Sequence, residues 1–287
     1  MKQPGDGAPR ALIRGAGDLA TGVALSLHHA GFGIVMAEID RPTAIRRTVA
    51  FCEAVFDGRQ TVEGVTARLC DPAALEGVLQ EGRIAVVVDP GAAVRAACAP
   101  TVVVDAILAK RNLGTTRSFA PIVIGCGPGF RAGEDVDAVI ETMRGHELGR
   151  VILSGSAQED TGVPGEIAGR TAERLLRAPA AGPVALEKKI GDLVDKGDLV
   201  MTVGGVPVTA PLAGCVRGLI RHGLTVPKGM KVGDIDPRGD SRYCFVVSDK
   251  ARAVGRAVLE AALILGRARG LLGVVTGRFP RPPAPEP

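Results

Sequence analysis

Arg14-Gly15-Ala16-Gly17-Asp18-Leu19-Ala20 is the stretch of this chain whose residue types and spacing most directly suggest chemistry. Glycine at 15 permits a sharp strand-to-helix turn, glycine at 17 lets the backbone approach a pyrophosphate, and Ala20 keeps the helix close to its strand. Amides at such a helix start face an anion. Glu38 stands about twenty residues on, with Asp40 just beyond, where an acid at the end of a second strand would hold a ribose diol. Asp18 is awkward there because it adds negative charge beside a phosphate. Its plainer role is helix capping, and Arg14, Arg41, Arg46 and Arg47 are basic residues able to offset it. The turn therefore predicts NAD(P) or another adenosine-type ligand, against the plain alternative of a relic turn that holds only the fold.

A second constellation follows. Asp105 ends an apolar run and leads into Lys110 and Arg111, which read equally as an anion contact or as a solvated face. Gly125-Cys126-Gly127-Pro128-Gly129-Phe130 places three glycines at a strand end, the composition of an anion nest, and Gly127 and Gly129 count as ligand contacts on that reading. A Cys126 thiol among those amides and near Arg131 would act as a nucleophile or chalcogen carrier; packed beneath the loop it would be inert. Glu141 and Arg144 are three apart, which on a helix gives an ion pair. His146 serves as a proton donor or as a helix cap. Asp105 and His146 are the acid–base candidates.

The elements that must position these groups alternate. Ala11–Arg14, Ile34–Ile39, Ile84–Asp89, Thr101–Asp105, Pro121–Ile124 and Arg150–Leu153 read as strands, and Val62–Leu69 as an extended segment. Asp18–Ala30, Ala44–Glu53, Pro72–Leu79 and Val136–Arg144 read as helices. That alternation predicts a Rossmann-like α/β domain over 8–169, a parallel sheet wrapped by helices, with ligand loops at the strand carboxyl ends. Ser154–Gly169 reads as a long functional loop.

From Val184 to Val247 short strands alternate with glycine turns, and a repeat appears: Gly191-x-x-Val194-x-Lys196-Gly197 recurs as Gly223-x-x-Val226-x-Lys228-Gly229, around Ala210-Pro211-Leu212-Ala213-Gly214. This region resembles the barrel-sandwich hybrid fold of biotinyl and lipoyl carrier domains, placed at 183–248. The hairpin that bears the modified lysine in carriers reads Val203-Gly204-Gly205-Val206-Pro207 here, so no biotin or lipoyl attachment is expected. Ala251–Leu265 reads as a helix within a C-terminal helical segment, 249–276. The Pro-rich 277–287 reads as a disordered tail.

Composition excludes several classes. Over 287 residues, Lys and Arg exceed Asp and Glu by four, and they are spread along the chain instead of forming a stripe. With no Trp and one Tyr, base stacking has little to work with, and nucleic acid is not an expected partner. No apolar run suits a signal peptide or a membrane span, so a soluble cytoplasmic protein is expected. Six cysteines lack zinc-like spacing, so neither a metal site nor a disulfide framework is expected.

Arg14–Gly22, Arg46-Arg47-Thr48, Val104–Lys110, Gly127–Gly133, Ile140–His146 and Gly233–Arg238 together resemble the selenium-dependent molybdenum hydroxylase system proteins of the YqeB type. The resemblance runs from about Ala11 to Leu263. It implies an accessory or maturation protein whose partners are a molybdenum hydroxylase or its cofactor-maturation proteins, binding a dinucleotide or molybdopterin-type cofactor. Two other readings stand beside it: an NAD(P)-dependent oxidoreductase acting on a small metabolite, and a non-catalytic nucleotide-sensing docking module. A homo-oligomer is compatible with each.

Overall fold

A computed structural model describes residues 8–162 and 165–272; the tail read at 277–287 lies outside them. Nine strands form the first sheet: β1 (Arg10–Arg14), β2 (Gly33–Glu38), β3 (Arg59–Val62), β4 (Val65–Leu69), β5 (Ile84–Val88), β6 (Val102–Asp105), β7 (Ile122–Cys126), β8 (Ala138–Ile140) and β9 (Val151–Ile152). Their spatial order is β3-β4-β5-β2-β1-β6-β7-β8-β9. The aliphatic runs of β1, β2, β6 and β7 are buried on both faces, which is why they read as continuous apolar stretches instead of alternating ones. The helices among these strands are α1 (Asp18–His29), α2 (Ala54–Asp57), α3 (Leu75–Gln80) and α4 (Arg95–Cys98).

This architecture corrects the Rossmann-like expectation. The sheet is mixed: β3 and β4 form an antiparallel hairpin at one edge, and β9 returns antiparallel on β8 at the other. Two segments read as crossover helices are also different. Between Ala44 and Glu53 the chain makes only short 3-10 turns, at Arg47–Val49 and Phe51–Glu53. Between Val136 and Arg144 it contributes β8 and then turns. The first difference has a visible cause, because the backbone there is bonded elsewhere: the Ile45 carbonyl accepts the Leu219 amide (2.8 Å), and Arg47 Nε donates to the Leu219 carbonyl (2.7 Å).

The second unit is built from β10 (Leu175–Arg177), β11 (Gly182–Leu186), β12 (Leu193–Val194), β13 (Leu199–Val203), β14 (Val206–Thr209), β15 (Gly214–Leu219), β16 (Thr225–Val226) and β17 (Lys231–Asp236). They form two separate four-stranded antiparallel sheets, β10-β17-β15-β12 and β14-β13-β11-β16, over one aliphatic core. The carrier-type barrel-sandwich expectation is corrected to this pair of sheets. The sequence repeat places β12 and β16 at an edge of each sheet, and Gly191, Gly197, Gly223 and Gly229 all take positive φ.

The chain then returns to the first unit as α5 (Asp249–Ala268), capped by the Ser248 hydroxyl, which accepts the Ala251 amide at 3.1 Å. Ala251, Val254, Gly255, Val258, Ala261 and Ala262 bury one stripe of α5. They pack on α1, whose residues from Leu19 to Leu25 are all buried because the sheet covers one side and α5 another.

Candidate ligand cavity at the glycine turn

The sheet order reverses between β1 and β6, since the chain builds outward through β2 and β5 on one side and through β7 and β8 on the other. Open α/β sheets bind ligands at such reversals, outside the strand carboxyl ends. A cavity of about 500 Å³ lies there, lined by the glycine turn, Glu38, the 42–46 segment, Ala106–Leu108 and, from the second unit, Lys231 and Asp234.

Gly15 turns the chain with φ +92°, and its amide donates to the Ala37 carbonyl (2.8 Å). Glu38 reaches into the turn: Oε2 accepts the Ala16 amide (2.7 Å) and Oε1 accepts the Ile39 amide (2.9 Å). Burial pushes the Glu38 carboxyl up, against the pull of those two amides. Each carboxylate oxygen keeps a lone pair for a further donor. Gly17 precedes α1, and among the described residues the amides of Gly17 and Asp18 find no protein acceptor. Asp18 accepts the Leu19 amide at 3.0 Å, and its other oxygen lies 3.7 Å from Arg46 Nη1. Ala20 is fully buried beneath the turn.

Arg46 is the residue that offsets Asp18. Its guanidinium is held under the cavity wall by two carbonyls, Tyr243 and Val246, each accepting from Nη2 at 3.0 Å. Nε and Nη1 are buried with no hydrogen-bond partner among the described residues. Burial, and after it Arg217, pulls the Arg46 guanidinium down. Across the cavity stands Lys231, likewise pulled down by burial.

Arg14 is placed differently from its expected phosphate contact. It lies beside Asp105 in the β1–β6 register, and the two side chains form a buried pair at 3.0 Å. Arg14 also bonds Thr115, whose hydroxyl donates to Asp105 (2.6 Å), while Asp105 Oδ1 accepts the Ile107 amide (3.2 Å). Asp105 is thus a buried structural carboxylate held by Arg14, Thr115 and the Ile107 amide, which corrects its acid–base reading.

The second glycine loop packs instead of forming an open nest. The Gly127 amide donates to the Ile140 carbonyl (2.8 Å), and a Cβ at Gly129 would stand 2.5 Å from the Arg111 backbone. Cys126 is fully buried, and burial, with Asp105 adding to it, pushes its thiol far above the usual range. The nucleophile reading is corrected accordingly, because a buried neutral thiol is inert. Arg111 and His146 are exposed, and Arg131 pairs with Glu134 (2.7 Å). Glu141 accepts the amides of Met143 and Gln158, while Arg144 pairs with Asp249, so these two make no helical pair. Lys110 pairs with Asp160 (2.6 Å) beside a second cavity. Among the described residues no cluster of three or more His, Cys, Asp or Glu could hold a metal ion, and no helix is long and apolar enough to cross a membrane.

No family model matches the chain. An uncharacterized Escherichia coli (strain K12) protein, YqeB, is 57% identical over 255 residues, covering 88% of this chain. Over most of its own length the chain is thus similar to YqeB. It spans about half the length of that relative, 47%. Solved structures with some likeness include the ectoine utilization protein EutE (DoeB) from Ruegeria pomeroyi, 13% identical with a TM-score of 0.23 over 78% of this chain and 56% of that one. An aspartoacylase family protein from Mesorhizobium loti is 11% identical with a TM-score of 0.26, over 79% and 85% of the two chains. At these values the likeness decides neither fold nor chemistry. That relative's name states no role, so the comparison supports the likeness to YqeB and not the molybdenum-hydroxylase designation.

Proposed function

We propose that this protein binds a phosphate-bearing, nucleotide-type ligand in the cavity at the carboxyl ends of β1 and β2. The observation that carries the reading is the coincidence of a helix start with a buried, incompletely partnered cation. The α1 N-terminus presents amides and the positive end of its dipole, and the charge of Arg46 sits beneath the same wall. An anion there would offset a guanidinium whose one ion-pair partner among the described residues is Asp18, at 3.7 Å. Glu38, anchored by two amides, retains acceptor capacity for a sugar diol.

Gly17 gives a clean test. Its φ is −67°, which any residue adopts, and a Cβ there would meet no atom within 4 Å. Gly17→Val therefore fills ligand space without straining the fold. Calorimetric titration with NAD+, NADP+ and ADP should give saturable binding to the native chain and at least tenfold weaker binding to Gly17→Val at unchanged Tm. Binding that survives Gly17→Val rejects the turn as the phosphate site, and absence of binding to all three ligands rejects the nucleotide reading.

A further inference from the structure

A second cavity of about 650 Å³ lies beside the first, between the turn at Thr142–Gly145, the segment Gln158–Gly162 and the second unit. Five basic side chains line it, Lys110, Arg144, Arg177, Lys231 and Lys250, against the carboxylates of Asp160 and Glu166. Two of the five are neutralised: Lys110 by Asp160 (2.6 Å) and Arg144 by Asp249 (2.6 Å). Glu166 turns to the Gly169 amide (3.1 Å), and Arg177 donates to the Gly229 carbonyl (3.0 Å). Lys231 and Lys250, both half-buried, have no hydrogen bond or ion pair among the described residues.

The carboxylates whose fields reach these lysines are committed elsewhere. Asp18 holds the Leu19 amide and faces Arg46, Asp234 is paired with Arg174, and Glu141 accepts two amides. Half-buried ammonium groups are costly to desolvate without a counter-charge, and the neighbouring cations, Arg174 and Arg217 for Lys231 and Arg144 for Lys250, add repulsion. Burial holds both below the usual lysine range.

We propose that this cleft is an anion site, distinct from the glycine-turn cavity, in which Lys250, Lys231 and Arg177 bind a group bearing two or more negative charges, of the phosphate or pyrophosphate class. Lys231 lines both cavities, so a charge held here lies next to the ligand space at α1.

Inorganic pyrophosphate is the probe, and amine acylation of the full chain read by peptide mass spectrometry is the measurement. The expected result is at least tenfold slower labelling of Lys250 and Lys231 with millimolar pyrophosphate, while the exposed Lys196 and Lys228 label at unchanged rates. Protection of Lys250 should persist in Gly17→Val, which separates this site from the nucleotide reading, and should weaken at least fivefold in Arg177→Gln, a change at an exposed side chain. Unprotected Lys250, or equal slowing at Lys196 and Lys228, overturns the proposal.

Discussion

Gly22 on α1 and Gly255 on α5 meet backbone to backbone: a Cβ on Gly255 would collide with the Gly22 carbonyl oxygen, and one on Gly22 with the Ala251 carbonyl oxygen. This contact lets α5 sit close enough to bury α1 on its outer side. Gly255→Val should destabilise the chain by ~1–3 kcal/mol or more, the range for forcing extra carbon into a packed interior. For a chain of this size that lowers Tm by about 2–4 °C per kcal/mol. Differential scanning calorimetry checks it, and an unchanged Tm would show that the helices have room to spare.

Arg14→Met should cost about 3–5 kcal/mol, because it leaves Asp105 buried without its cation. The double variant Arg14→Met/Asp105→Leu should recover much of that loss. Urea unfolding of the three chains gives the answer; a mild single variant would return Arg14 to the list of ligand-binding groups.

Asp137 joins three parts of the first unit, accepting from Arg117 Nε (3.0 Å), the Val123 amide (2.8 Å) and Arg269 Nη2 (2.9 Å). Burial pushes its carboxyl up, but the Arg269, Val123 and Arg117 bonds outweigh that and hold it below the usual aspartate value. A depressed folded value means the unfolded chain binds the proton more tightly. The stabilisation is therefore complete above the ordinary aspartate range and is lost as pH falls through the folded value. Asp137→Asn should lose ~1–3 kcal/mol at pH 7 and flatten the acid limb of a stability–pH profile. A parallel profile would contradict the linkage.

Thiol reactivity separates the cysteines. Cys52, Cys98, Cys126, Cys215 and Cys244 are buried, and only Cys70 is partly open. Burial raises Cys98 to about 11 and Cys215 to about 12. In native protein a disulfide reagent should modify Cys70 first, with the others following at the rate of unfolding. Fast modification of Cys126 would revive it as a nucleophile.

The individual strands were legible where burial on both faces left an unmistakable run, as in Leu12-Ile13, Val102-Val103-Val104 and Ile122-Val123-Ile124. The repeat at Gly191 and Gly223 was legible because those positions need positive φ, which few other residues tolerate. The mixed sheet was not: Val62–Leu69 is an unbroken extended stretch in sequence, and the Glu63-Gly64 turn that folds it into a hairpin carries only one glycine. Ala44–Glu53 has helical composition, yet its bonding is decided by Leu219, far along the chain. The same distance hid the cations. Arg46 was one of four basic residues near Asp18 in sequence, and Lys231 and Lys250 carried no local signal, because their convergence exists only once the two units meet.

The return of α5 to α1 sets an order of assembly. During synthesis α1 emerges well before its outer cover, which lies more than two hundred residues downstream, beyond the whole two-sheet unit. Until α5 arrives, Val23, Ala24 and Leu27 belong to a helix with one apolar side bare, the kind of surface that draws chaperones or recruits other nascent chains. The intervening β unit has its own core, so it can form while the first unit waits. Docking of α5 then works as a clasp, and without it the helix behind the glycine turn keeps its outer side bare.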